Sequence, residues 1–134
     1  MRVVLDTNVL VSAIFFGGVP GRILAAWSDE RFDMLASVDI LTEYRRVVER
    51  LEGRFPKVAA RPLLDLIIRE CRLVDPVPVP ASACNDPDDL KFLGCALAGG
   101  ARCIVSGDRA LLRASGFEGV EVLTPAAFVA HYLT

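Results

Sequence analysis

Arg2-Val3-Val4-Leu5-Asp6-Thr7-Asn8 opens the chain with an apolar, largely β-branched run that stops abruptly at an acid. Cys103-Ile104-Val105-Ser106-Gly107-Asp108 repeats the figure near the other end: a buried-type strand, small polar residues, then an acid. Around these two runs the chain alternates short β-like stretches with longer helical patterns. Phe32 to Ala36 reads as a second strand and Glu121 to Leu123 as the last. Leu73 to Pro80 carries Pro76, Pro78 and Pro80, so only its first residues can be a strand, and an edge one. Helices are predicted over Val9–Phe16, Arg22–Glu30, Val38–Glu52 and Pro62–Cys71. Asp86-Pro87 opens another, which runs to about Ala98 and is closed by Gly99-Gly100. Arg109–Ala114 is a short helix, and Thr124-Pro125 caps a terminal one. The 38–52 helix carries the strongest pattern, with Ile40, Leu41, Tyr44, Val47, Val48 and Leu51 on one stripe. Strands separated by helices pair in parallel through right-handed crossovers, with helices on both faces. The predicted fold class is therefore α/β: a three-layer α/β/α sandwich on a mostly parallel central sheet, residues 1–134 forming a single domain.

Composition agrees. The chain has 134 residues, 53% hydrophobic and 24% charged, enough for a real core and inconsistent with disorder. No apolar run approaches the ~20 residues of a membrane helix, and a strand stands where a signal peptide would. Cys71, Cys84, Cys95 and Cys103 show no metal-ligand spacing; three of them have apolar or small neighbours, as buried thiols of a reducing compartment do. The expected location is the cytoplasm, with no membrane partner. A net charge of −2 speaks against a nucleic-acid partner at first sight. The segment from Leu41 to Arg72, however, holds eight basic residues against five acids. Acids that hold metal ions would also count for less.

Open parallel sheets bind ligands in the crevice beyond the carboxyl ends of their strands. Asp6 and Asp108 both stand at such ends; the ordinary alternative is that each caps the helix after it. Asp89 falls on the buried stripe of its helix, with Phe92, Leu93 and Ala96 at i+3, i+4 and i+7. A carboxylate facing a core is costly unless paired or bound to a cation; alternatively it folds back onto the helix start as a capping-box acid does. Asp86, before Pro87, is a natural N-cap that can also approach the crevice. Glu43 lies about 40° from Val47 and about 60° from Ile40 on a helical wheel, bordering the apolar stripe, with Arg46 at i+3 offering an ordinary salt bridge.

Taken together, the four acids resemble the signature of PIN-domain proteins. Val4-Leu5-Asp6-Thr7-Asn8-Val9-Leu10-Val11-Ser12-Ala13 is similar to that family's opening strand leading into Asp-Thr-Asn. Leu41-Thr42-Glu43-Tyr44 resembles its second motif, a Glu early in the third helix. Asn85-Asp86-Pro87-Asp88-Asp89-Leu90-Lys91-Phe92 and Ile104-Val105-Ser106-Gly107-Asp108 resemble the third and fourth. Asp86, Asp88 and Asp89 crowd the third motif; the helical face selects Asp89, and Asp86 stays an alternative. The tail Leu123-Thr124-Pro125-Ala126-Ala127-Phe128, like the proline-rich segment, is similar to a bacterial and archaeal branch that supplies the toxins of toxin–antitoxin pairs.

The resemblance implies a metal-dependent endoribonuclease whose catalytic and metal-binding residues are Asp6, Glu43, Asp89 and Asp108. Oxygen-only ligands suit Mg²⁺ or Mn²⁺. On this reading Asp6, Asp89 and Asp108 bind one ion, while Glu43 bridges through water or orients the attacking water, and a second ion can join with substrate. Asn8 and Ser106, with Asp86, are the supporting candidates; Thr7 and Ser12 are better assigned to capping. Arg46, Arg50 and Arg109 are candidate RNA contacts, of which Arg46 and Arg50 lie on Glu43's side of the helix. His131 sits in the last helix, far from every motif. Without cations, the clustered carboxylates should have raised, coupled pKa values. Implied partners are RNA, a cognate antitoxin and a second copy of the chain, for which Ile14-Phe15-Phe16 is either interface or core.

Two other readings of the acids compete with this one. A metal-dependent phosphohydrolase of the haloacid-dehalogenase kind needs Asp-x-Asp after the first strand, where this chain has Asn8, and there is no Gly-rich phosphate loop. A non-catalytic PIN-like binding module is opposed by the full set of four acids.

Overall fold

In the computed structural model, which describes residues 1–134, the apolar runs form five short strands. These are β1 (Arg2–Leu5), β2 (Asp33–Ala36), β3 (Arg72–Leu73), β4 (Cys103–Val105) and β5 (Glu121–Leu123). Seven helices surround them: α1 (Thr7–Phe15), α2 (Gly18–Ser28), α3 (Val38–Glu52), α4 (Ala60–Glu70), α5 (Leu90–Gly99), α6 (Arg109–Arg113) and α7 (Pro125–Tyr132). Every strand pairing is parallel, in the order β3-β2-β1-β4-β5. The short β3 is the edge strand that the prolines after it allow.

The winding places the site. From β1 the chain steps outward to β2 and β3, then crosses back to pair β4 on the other flank of β1. β1 and β4 thus flank the point where the winding reverses, and the crevice at their carboxyl ends opens between connections that leave in opposite directions. Right-handed crossovers put α1 and α3, which pack on one another, on one face, while α5 covers β1, β2 and β4 from the other. Val3, Val4, Leu5, Leu35, Ile104 and Val105 are completely buried between these layers.

Three helices begin earlier than the sequence patterns predict: α1 at Thr7, α2 at Gly18 and α4 at Ala60. Pro20 and Pro62 read as boundaries in the sequence, yet each sits in a first turn, where the missing N–H would have had no partner. The helix predicted from Asp86-Pro87 instead begins as a 3₁₀ turn, Pro87–Asp89, and becomes α-helical at Leu90. It ends as read, on Gly100 in the left-handed conformation (φ 64°).

The proline-rich strap lies across α5. Val77 donates its N–H to the Gly94 carbonyl at 3.2 Å. A Cβ at Gly94 would stand 2.6 Å from the Val77 carbonyl oxygen, so only glycine lets the strap come this close. Of Ile14-Phe15-Phe16, the first two are core and Phe16 is 63% exposed. No single helix is long and apolar enough to cross a membrane.

Candidate active site

β1 and β4 run side by side with Leu5 opposite Val105, and the ladder continues one step further through Asp6 N–H to the Val105 carbonyl at 2.9 Å. That extra step fixes the Asp6 backbone beside Ser106. The Ser106 hydroxyl donates to Asp6 Oδ2 at 2.6 Å and accepts the Asp108 N–H at 2.9 Å. One buried serine thus ties the first acid to the last, 102 positions along the chain. Asp108 also caps α6, accepting the Ala110 N–H at 3.0 Å, so the capping reading holds for it. It fails for Asp6, whose side chain makes no cap bond to α1.

The third motif arrives from the proline strap. Asp86 accepts the Asp88 N–H at 3.0 Å and holds the 3₁₀ turn. Asp89, buried with 6% exposure, makes no cap bond and faces the same crevice. Asp86, Asp89 and Asp108 each offer a carboxylate oxygen lying within 4.8 Å of the other two. Asp88 is exposed.

Glu43 comes from α3 and completes the ring. Thr7 donates its hydroxyl to Glu43 Oε2, and Lys91 donates to Oε1 at 2.7 Å. Arg46 stands 3.7 Å from Oε1, the i+3 salt bridge that the sequence offers. Beneath, the Tyr44 hydroxyl donates to the Leu5 carbonyl and pins α3 to the end of β1.

A cleft of about 250 Å³ results, lined by Asp6, Asn8, Glu43, Arg46, Arg50, Asp86, Asp89 and Asp108 with Thr7 and Val47. Asn8 lines it without a side-chain hydrogen bond to the acids. Arg46 and Arg50 border it, as the helical wheel required, and no carboxylate lies within 4 Å of Arg50. Arg109 is exposed and outside the lining, and His131 is exposed on α7. A wider depression of about 860 Å³ lies at the amino ends of the strands around Arg2, Arg102 and Tyr132. Its one carboxylate, Glu121, accepts from Tyr132, so it offers no comparable chemistry.

The electrostatics divide the acids. Burial, then the hydrogen bond and charge of Asp108, push Asp89 up to about 8, so near neutrality it carries a proton and shares it with Asp108. Burial also raises Asp6, against the Ser106 hydrogen bond. Glu43 corrects the expectation of uniformly raised values. Burial pushes it up, but the hydrogen bonds of Lys91 and Thr7 and the charges of Lys91 and Arg46 outweigh this and lower it. A small octahedral cation with oxygens at about 2.1 Å spaces its ligands about 3–4.2 Å apart, so the three-aspartate cluster needs little contraction to take one. The oxygen-only donors and their spacing therefore fit a divalent cation, which would displace the proton from Asp89.

The sequence gives no sign of Lys91 and favours capping over an orienting role for Thr7. The Thr7 hydroxyl instead reaches across to Glu43 on α3. Lys91 lies two residues beyond Asp89, hence about 200° around a helix from it, and only the packing of α5 beside α3 brings it to Glu43.

The family model for the PIN domain matches residues 2–110 of the chain. In fold, the chain is similar to VapBC2 from Rickettsia felis, solved bound to a DNA fragment from their promoter, with TM-score 0.62 at 16% identity over 92% of this chain and 98% of that one. It is likewise similar to PAE2754 from Pyrobaculum aerophilum, with TM-score 0.61 at 16% identity over 96% and 87%. No curated protein sequence matches it.

Proposed function

The chain belongs to the PIN-domain family, and from that premise we propose that it is a metal-dependent endoribonuclease with its active centre in the five-carboxylate cleft. The observation that carries this reading is the convergence of Asp86, Asp89 and Asp108 within 4.8 Å, with Asp6 bound to the same Ser106 that holds Asp108. A crowded, partly buried carboxylate cluster is costly to keep unpaired and gains most from a divalent cation.

Asp6, Asp89 and Asp108, with Asp86 at the cleft edge, are the residues to hold Mg²⁺ or Mn²⁺. Such an ion, when bound, would polarise the scissile phosphodiester and make water a better nucleophile at neutral pH. Ser106 sets the orientation of Asp6, and the α6 cap sets that of Asp108. Glu43, ionised by its Lys91 and Thr7 contacts, is placed to orient the attacking water and receive its proton. Arg50, without an acidic partner, and Arg46 bind the RNA phosphates on the α3 side. Cleavage by water leaves a 5′-phosphate and a 3′-hydroxyl.

We further assign the chain to the toxin side of a toxin–antitoxin pair, working in the cytoplasm with a cognate antitoxin and as a homodimer. The fold likeness to VapBC2 supports the pairing. Four cysteines without a disulfide suit a reducing compartment.

The test is cleavage of mixed-structure RNA by the wild type and Asp6→Asn, each with Mg²⁺, Mn²⁺ or EDTA, followed by analysis of the product ends. Cleavage by the wild type alone, abolished by EDTA and leaving 5′-phosphates, is the expected result. Equal cleavage by both proteins, or 2′,3′-cyclic phosphate ends, would remove the proposal.

A further inference from the structure

Glu43 is the one acid of the cleft that a cation holds, Lys91 donating to Oε1 at 2.7 Å while Thr7 donates to Oε2. The Lys91 and Glu43 side chains are 20% and 18% exposed, so this is a largely enclosed, charge-assisted bond and not a surface pair. Lys91 approaches from behind. It lines a second depression with Asp39, Thr42, Pro87 and Asp88, and Glu43 and Arg46 form the wall between that depression and the acid cleft. Glu43's charge is thereby matched inside the protein, whereas Asp6, Asp86, Asp89 and Asp108 meet no Lys or Arg within 4 Å.

A pair of ions about 3.5–4 Å apart needs a carboxylate to hold the second ion. On the α3 side Glu43 is the acid available, and Lys91 already holds its Oε1. A second divalent cation there would also face the Lys91 ammonium at close range. Building on the metal-dependent reading above, we infer that Lys91 takes the place of a second metal ion: the chain binds one divalent cation on its aspartates, with Glu43 kept off it. Lys91 is a positioning residue, acting on the reaction only through Glu43.

Mn²⁺ binding by the purified chain tests this without any cleavage assay, by calorimetry and by electron paramagnetic resonance of free Mn²⁺. The wild type is expected to bind one ion per chain, Lys91→Arg one, and Lys91→Met two, the second weaker. The charge-neutral double variant Lys91→Met with Glu43→Gln returns to one ion, with a dissociation constant within about threefold of wild type, whereas loss of a true ligand weakens binding by about tenfold or more. Thermal melts of each variant confirm that it folds, and the double variant, in which no charge is left unpaired, tests the inference even where Lys91→Met is unstable. Two ions on the wild type, one on a folded Lys91→Met, or a tenfold loss in the double variant would each overturn the inference. No ion on the wild type would instead overturn the metal-dependent reading, and this inference with it.

Discussion

Replacing Asp89 with asparagine should make the metal-free protein more stable at alkaline pH, by an amount the cleft geometry sets. Asp89 titrates near 8 in the folded chain, whereas an unfolded aspartate titrates at about 3.9. Between those values the folded state holds a proton that the unfolded state has released, so stability falls as pH rises. The stabilising difference is complete below about pH 4 and gone once the pH passes about 8. Each pH unit in that window costs about 1.4 kcal/mol, so raising the pH from about 5.5 to about 8 should cost the wild type about 3 kcal/mol. For a chain of this length that is a fall of roughly 10 °C in Tm. Asparagine does not titrate, and its Nδ2 can donate to Asp108 as the protonated acid does, so the variant keeps the bond and loses the slope. A weaker slope of the same sign remains from Asp6, also raised by burial. The assay is thermal unfolding of both proteins in EDTA across this range, repeated with Mg²⁺ or Mn²⁺. Metal at about 100 times its dissociation constant should return about 2.7 kcal/mol to the wild type at pH 8, and much less to the variant, which lacks a ligand. Identical pH slopes for the two proteins in EDTA would show that Asp89 titrates normally and would refute the argument.

Arg50→Ala should weaken RNA binding and lower the salt slope of log K by about one phosphate contact; filter binding with Asp6→Asn as the common background measures this, and an unchanged slope removes Arg50 from the RNA path. Gly94→Ala should cost about 2–3 kcal/mol in urea unfolding, since its Cβ meets a backbone carbonyl at 2.6 Å. Gly99→Ala should cost less, because its nearest neighbour, at 2.5 Å, is the end of the Leu35 side chain; the reverse order would refute the assignment of the strap contact. Tyr44→Phe should cost about 1–2 kcal/mol by leaving the buried Leu5 carbonyl without its hydroxyl partner. Stability equal to wild type would show that water replaces the bond.

The sequence alone determined the order of strands and helices, with several helix starts misplaced by a few residues, and on which side of each element the acids lie. Apolar runs of three residues ending at Asp6 and Ser106 read as strands buried on both faces, as a parallel sheet has them, and the stripe from Ile40 to Leu51 as one face of a helix. Periodicity also selected Asp89 and put Arg46 and Arg50 on Glu43's side, because it reports direction within an element. It says nothing of what lies opposite. That β4 pairs with β1, that Ser106 bonds both Asp6 and Asp108, and that Lys91 and Thr7 converge on Glu43 were decided by strand order and helix packing. Those contacts made one acid of the set easier to ionise and another harder, though both read as the same kind of residue in the chain. A pKa depends on burial and on the charges within a few ångströms, and folding brings those together from residues far apart in sequence.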